Sequence, residues 1–148
     1  MVGSGGVGSA IAASLAAAGV SALGLYDLAP AASARLADRL AAHYPALGLA
    51  TGSADPEGYD IVVNATPVGM NEGDPLPIDV EAISPAAFFG EVVMKEEFTP
   101  LLRAAKAKGC KVQVGTDMLF EMIPAYIEFF GFGATTPEEL RCHSKPRY

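Results

Sequence analysis

A chain of 148 residues can form one domain with a buried core, and its 51% hydrophobic content excludes a disordered protein. The net charge of −7 argues against nucleic-acid binding, because phosphate backbones require clustered Lys and Arg. Two cysteines, Cys110 and Cys142, are too few for a disulfide framework, and no apolar run approaches the roughly 20 residues of a membrane span. We therefore expect a cytoplasmic globular protein that binds no metal, no nucleic acid and no membrane.

Short apolar segments alternate with amphipathic ones along the chain. The predicted strands span residues 22–27, 60–64, 88–93 and 111–114, with a weaker one at 47–51, and the predicted helices span residues 7–18, 31–43, 99–108 and 117–130. Gly19, Pro45 and Gly109 mark the predicted ends of the first three helices. Because strands alternate with helices and are apolar throughout, the predicted fold is α/β, with a doubly wound, Rossmann-like parallel sheet. Residues 66–85 form a Pro- and Gly-rich loop, which is predicted to line a site.

The chain begins with a glycine turn, Gly3-x-Gly5-x-x-Gly8, that leads into the first helix. In dinucleotide-binding folds the first glycine allows a tight turn, the second lets the backbone approach a pyrophosphate, and the third permits close helix–strand packing. The free N–H groups of the helix then face the phosphates. The alternative is a plain strand–helix turn without a ligand. Only Met1 and Val2 precede the turn, so we expect the first strand to be truncated.

A truncated central strand leaves unpaired backbone groups in a parallel sheet. We therefore expect a second copy or a missing domain to fill the gap, or the first strand to be reorganised. The last long helix carries the apolar sequence "AYIEFFGF". Self-association through the truncated sheet or through this helix is accordingly expected.

Asp27 is the last residue of the strand predicted at 22–27, about 20 residues after the glycine turn. A carboxylate at this place accepts hydrogen bonds from the adenosine ribose of NAD, whereas it repels the 2′-phosphate of NADP. No Arg or Lys follows until Arg35, so NAD is favoured over NADP. The alternative is that Asp27 caps the next helix, although Pro30 indicates a helix that begins later.

Four segments occur in an order typical of one family: "GSGGVGSA", "NATPVGM", "FTPLLRAAKAKG" and "GTDML". Together they resemble the cofactor-binding domain of the shikimate/quinate dehydrogenase family, over residues 3–131. The resemblance implies hydride transfer between a nicotinamide cofactor and a ring alcohol or ketone of a small cyclic hydroxy-acid-like substrate, in aromatic amino acid biosynthesis. It makes residues 1–131 a dinucleotide-binding domain and residues 132–148 a tail with a short helix at 137–142.

The resemblance also implies which residues form the site. They are Gly3, Ser4, Gly5, Gly6, Val7, Gly8, Asp27, Leu28, Asn64, Ala65, Thr66, Pro67, Val92, Gly115, Met118 and Leu119 for cofactor binding. Gly115 would let the nicotinamide ring approach the backbone. For Thr66 a purely structural turn role is equally open, and for Met118 and Leu119 the alternative is a place in the helix core.

The chain departs from the family pattern near the expected substrate. Glu91 stands for an Asp, Met94 for a Tyr, Glu96 for a Pro, and Met122 for a Gln that contacts the polyol. Because thioethers leave substrate hydroxyls unpaired, Met94 and Met122 indicate a divergent member with a less polar or differently substituted substrate.

The family's catalytic Lys–Asp pair lies in an amino-terminal substrate domain, and we find no counterpart of it here. The chain is therefore interpreted as a carboxyl-terminal portion that is inactive alone, with Lys95 and Glu96 as solvated charges rather than an acid–base pair. One alternative is a non-catalytic nucleotide-binding or regulatory module derived from the family. Another is an unrelated nucleotide-dependent enzyme.

Overall fold

A computed structural model describes residues 1–71 and 73–144. The helices are α1 (Gly6–Ala17), α2 (Pro30–His43), α3 (Pro100–Ala107), α4 (Gly115–Phe129) and α5 (Pro137–His143). The strands are β1 (Ala22–Leu25), β2 (Gly48–Thr51), β3 (Ile61–Asn64), β4 (Phe88–Glu91) and β5 (Lys111–Gln113), and a 3-10 turn spans Val80–Ala82. Every predicted helix and strand is thus confirmed, including the weak strand at 47–51. The last four residues of the predicted tail lie outside the described residues.

All strands pair in parallel, in a two-stranded part ordered β1-β2 and a three-stranded part ordered β3-β4-β5. Val2 joins the two parts, because it forms parallel bridges to Tyr26 on one side and to Asn64 on the other. Its N–H donates to the Val63 carbonyl at 2.9 Å, and its carbonyl accepts from the Ala65 N–H at 2.8 Å. The truncated first strand therefore keeps the central position, and the prediction of a doubly wound parallel sheet is confirmed.

Two apolar cores lie on opposite faces of this sheet. Leu23 and Leu25 pack with α1 and α2 in one core, whereas Tyr26 packs against the other. Side chains alternate between the faces of a strand, so this change of partner places the cores on different sides. The second core centres on Phe89 and Leu101, at 0% and 1% exposure, and connects β4 with α3. Each such buried side chain contributes about 1.5–3 kcal/mol to folding.

The element boundaries differ from the predictions near the carboxyl edge of the sheet. β1, β4 and β5 end at Leu25, Glu91 and Gln113, before the predicted 27, 93 and 114. Beyond these residues the chain enters the connections that lead to α2, α3 and α4. α4 begins at Gly115 rather than 117, with Val114 in extended conformation as its N-cap, and it continues through Pro124.

The short helix predicted at 137–142 is confirmed as α5, which packs on α4. Thr136 and Glu139 form a capping box that begins it. Arg141 then pairs with Asp117 at 3.4 Å and Glu121 at 2.9 Å on α4. The tail is thus attached to the domain as far as α5, and a domain boundary at residue 131 stays a prediction. In the described part of the chain, no helix is long and apolar enough to cross a membrane.

Candidate dinucleotide-binding site

The glycines of the turn between Val2 and α1 serve two purposes. Gly3 has a φ of +93°, and a Cβ there would lie 2.6 Å from the Ala65 carbonyl oxygen. A Cβ on Gly8 would lie 2.1 Å from the Gly3 carbonyl oxygen. Gly5 and Gly6, in contrast, have no heavy atom within 4 Å of an added Cβ. Gly3 and Gly8 are therefore required by packing within the chain, while Gly5 and Gly6 present an open backbone surface at the amino end of α1.

Asp27 fixes this turn to the end of β1. Its Oδ2 accepts a 2.8 Å hydrogen bond from the Ser4 N–H, and its Oδ1 accepts a 2.9 Å bond from the Ala29 N–H. These two backbone bonds lower the pKa of the Asp27 carboxyl, because they favour its charged form. The N-cap of α2 is Ala29, so the alternative that Asp27 caps this helix is wrong. Each carboxylate oxygen keeps a lone pair for a further donor. The neighbouring Leu28 side chain is 84% exposed.

A buried polar network holds the loop after β3. Asn64 is fully buried, and its Oδ1 accepts from both the N–H and the hydroxyl of Thr66, at 3.0 and 2.7 Å. Its amide nitrogen donates to the Val68 carbonyl at 3.2 Å and to Glu91 Oε1 at 2.7 Å. The Thr66 hydroxyl in turn accepts from the Val68 N–H at 3.1 Å. The structural turn role left open for Thr66 is thus present.

Glu91 is the buried acid of this network, a role that the sequence did not predict for it. It is 3% exposed and receives a second hydrogen bond from the Thr99 hydroxyl, which also caps α3. Burial raises the pKa of the Glu91 carboxyl, while the bonds from Thr99 and Asn64 oppose that rise. Asn64 and Glu91 are register partners on adjacent strands, so their side chains share one face. An amide that ends one predicted strand and an acid near the end of the next were the signal available in the sequence.

Six of the predicted residues line one cavity of about 480 Å³ beside the turn. They are Val7, Ala65, Thr66, Pro67, Val92 and Met94, and the wall is completed by Met70, Val93 and Lys95. Gly115 lies behind this wall, where an added Cβ would be 2.3 Å from the Val93 carbonyl oxygen. This contact within the chain explains why position 115 requires a glycine. The close approach of a nicotinamide ring to Gly115 stays a prediction. The cavity is a mainly apolar surface next to the open backbone of Gly5 and Gly6.

The sequence and the fold of this chain are similar to those of known proteins. The quinate/shikimate dehydrogenase (NAD(+)) of Corynebacterium efficiens is 38% identical over 139 residues, which cover 88% of this chain and 48% of that protein. The structure of quinate dehydrogenase from Corynebacterium glutamicum in complex with NAD matches with a TM-score of 0.84 at 32% identity, over 95% of this chain and 51% of that one. The chain belongs to the shikimate/quinate dehydrogenase family.

The chain is also similar to a structure that contains NADP(H). Shikimate 5-dehydrogenase from Thermus thermophilus in complex with NADP(H) and shikimate matches with a TM-score of 0.82 at 26% identity, over 94% of this chain and 51% of that one. No protein-family model matches the chain. The chain spans about half the length of the relatives it matches, and it corresponds to their cofactor-binding half.

The remaining predicted residues of this dehydrogenase family member lie on α4. Met118 is half-buried, whereas Leu119 and Met122 are 40% and 37% exposed. A place in the helix core is therefore wrong for Leu119. Met94, also predicted near the substrate, is 44% exposed, and its Cγ would lie 2.9 Å from a Cβ added to Gly115 at the start of this helix. The structure thus brings Met94 next to the start of α4.

The titratable groups around the site form no metal centre. Within residues 1–71 and 73–144, no three His, Cys, Asp or Glu side chains are grouped so that they could hold a metal ion. Cys110 is buried and Cys142 exposed, and both thiols are free. Glu96 pairs with Arg103 at 3.0 Å, with both side chains about half exposed. This agrees with the interpretation of Glu96 as a solvated charge.

Proposed function

We propose that this chain binds NAD as part of a dehydrogenase that transfers hydride between the nicotinamide and a ring alcohol or ketone. The observation that carries the proposal is the pairing of an open backbone at Gly5 and Gly6 with the Asp27 carboxylate, which is bonded to the Ser4 N–H of the same turn. Backbone N–H groups at a helix start bind phosphate, and a carboxylate beside them accepts ribose hydroxyls. The residues present therefore fit a dinucleotide.

Each part of the dinucleotide then has a place on the described surface. The pyrophosphate would lie over Gly5 and Gly6, and the adenosine ribose at Asp27 with Leu28 beside it. The nicotinamide would enter the apolar cavity lined by Val7 and Val92. When bound, the nicotinamide supplies the hydride acceptor or donor. The chain's own residues bind and orient the cofactor, and the apolar wall excludes water from it.

The preference for NAD over NADP rests on Asp27. Its two backbone hydrogen bonds fix its position and lower its pKa further below neutral pH, so the carboxylate there is charged. A fixed negative charge disfavours a ribose 2′-phosphate at this position. Relatives named with NAD and with NADP both occur, so membership of the family does not decide the cofactor, and the proposed preference depends on Asp27 alone.

The substrate proposed is a small cyclic hydroxy acid, less polar than shikimate because Met94 and Met122 replace polar contacts. The acid–base groups for the reaction would come from a region that corresponds to the other half of the related proteins, which this chain does not cover. The two cysteines, both free, suit a cytoplasmic protein. The same two methionines favour a second candidate, a nucleotide-binding or regulatory module without turnover. A full-length protein that binds NAD but oxidises no cyclic hydroxy acid would establish this second candidate.

Calorimetric titration of the chain with NAD and with NADP tests the proposal. We expect NAD to bind more tightly, and Asp27→Asn to narrow the difference because it removes the negative charge. Asp60→Asn, an exposed change elsewhere, serves as the control and should leave both affinities unchanged. The proposal fails if the wild type binds neither dinucleotide, and the role of Asp27 fails if its variant behaves like the control.

A further inference from the structure

Helix α2 places two arginines against the glycine turn. Arg35 and Arg39 are separated by four positions, so they lie on the same flank of the helix. That flank and the start of α1 border an open cavity of about 580 Å³. The cavity is lined by Ser4, Gly5, Gly6, Ser9, Ala32, Arg35, Asp38 and Arg39. The open backbone of Gly5 and Gly6 and the two arginines therefore line the same cavity.

Neither arginine forms an ion pair with any other described residue. Among the described residues, the carboxylates within 4.0 Å of a cation pair with Arg103, Lys108 and Arg141, and none pairs with Arg35 or Arg39. Arg39 Nη2 donates a 3.2 Å hydrogen bond to Ser9 Oγ on the first turns of α1, which holds the guanidinium beside the glycine turn. Asp38 is the one acidic residue in this cavity wall, so the wall keeps a net positive charge.

A second, independent observation is an unpartnered polar side chain in the wall of this cavity. Ser4 is 8% exposed, and its Oγ is buried without any hydrogen-bond partner. It is the single buried side-chain N or O atom in the described residues of which this is true. A buried hydroxyl without a partner costs about 1–3 kcal/mol, so such a group is rare unless a ligand or water completes it. Ser4 lines the same cavity as the arginines.

We propose that Arg35 and Arg39, with the Ser4 hydroxyl and the amino end of α1, form an anion site that binds a phosphate group of the dinucleotide. The proposal rests on the dinucleotide function proposed above. Guanidinium groups bind phosphate oxygens through paired, charge-assisted hydrogen bonds, which suits a wall that lies beside exposed helix N–H groups. The phosphate has two sources, the pyrophosphate bridge and a ribose 2′-phosphate.

The arginine pair also affects the choice between NAD and NADP. The sequence distance to Arg35 suggested that no cation lies close to the ribose. In the structure the helix brings Arg35 and Arg39 back to the cavity beside Ser4, whose N–H is bonded to Asp27. Asp27 therefore acts against a 2′-phosphate while the arginine pair attracts phosphate, and the measured preference reflects both.

The test is calorimetric titration of wild type, Arg35→Gln, Arg39→Gln and the double variant with NAD, NADP and inorganic pyrophosphate. Lys111→Gln, an exposed change of equal charge on β5, is the control, and thermal unfolding checks that each variant is folded. We expect the double variant to weaken dinucleotide binding at least tenfold. Equal loss for NAD and NADP assigns the arginines to the pyrophosphate, and loss for NADP alone assigns them to the 2′-phosphate.

Three results overturn or separate the proposals. If the double variant binds both dinucleotides like the control, the arginine site is wrong while the dinucleotide function stands. If the wild type binds neither dinucleotide but binds pyrophosphate through the arginines, the anion site stands and the dinucleotide function fails. If the wild type binds none of the three probes, both proposals fail.

Discussion

The Asn64 amide donates a 2.7 Å hydrogen bond to the Glu91 carboxylate across two adjacent strands, with both side chains buried. Through its carbonyl oxygen the same Asn64 fixes Thr66, and through Glu91 it is connected to Thr99 at the start of α3. One network thus sets the positions of the loop after β3 and of α3. The apolar cavity depends on it, because Ala65, Thr66 and Pro67 form part of that cavity's wall.

Glu91→Gln should alter how stability depends on pH. Burial raises the Glu91 pKa, so the folded chain keeps this proton over a range in which the unfolded chain has lost it. The free energy of unfolding therefore falls as pH rises from the ordinary glutamate range through the raised pKa. Gln carries no titratable proton, so the variant should lose this decline. Urea unfolding between about pH 4 and pH 8 measures it, with exposed Glu97→Gln as the control. An unchanged slope in Glu91→Gln would contradict the assignment.

Asn64→Ala should destabilise the chain by on the order of 3 kcal/mol, because it leaves several buried groups unpaired. The Val68 carbonyl and the Thr66 N–H lose their partner, and the Glu91 carboxylate loses one of its two donors. Thr66→Val, which keeps the shape and removes only the hydroxyl, should cost less. Urea unfolding of the three proteins compares the effects. Equal stability of Asn64→Ala and wild type would show that water replaces the network.

The sequence predicted the elements well and the interactions between them less well. Periodicity and Gly or Pro positions were sufficient for every helix and strand, because each of these signals is local. The role of Glu91 depends on the register between β3 and β4, and that of Arg39 on how α2 packs beside α1. Both are contacts between residues far apart in the chain, which spacing alone does not specify.

At the glycine turn, too, the sequence predicted the local structure but not the contacts with distant residues. The pattern correctly indicated a turn that needs glycine, but it did not separate the glycines required by packing from those that leave open space. The structure makes this distinction through the Ala65 carbonyl beside Gly3 and the empty surroundings of Gly5. For Gly115 the predicted reason was a ligand, whereas the observed neighbour is the Val93 carbonyl.

Gly8→Ala and Gly5→Ala should therefore have opposite consequences. The new Cβ at position 8 would meet the Gly3 carbonyl oxygen, so Gly8→Ala should lower stability by about 1–3 kcal/mol. Gly5 has a φ of −73° and no neighbour, so Gly5→Ala should fold normally. Its methyl group would occupy the surface proposed for the pyrophosphate, and NAD affinity should fall at least tenfold. Thermal unfolding and NAD titration of both variants test the pair. Full NAD affinity in Gly5→Ala would place the pyrophosphate elsewhere.

Exposed aromatic side chains at the end of α4 predict that the chain self-associates. Phe129, Phe130 and Phe132 are 81%, 65% and 80% exposed, an apolar surface that monomers seldom leave in water. We expect the sedimentation coefficient to rise with protein concentration, since burying these rings against a second copy removes apolar area from water. The double change Phe129→Ser and Phe132→Ser should remove the concentration dependence, whereas Leu28→Ser, equally exposed on another surface, should not. A wild-type coefficient that stays constant between micromolar and near-millimolar concentration would show that these rings do not hold two copies together.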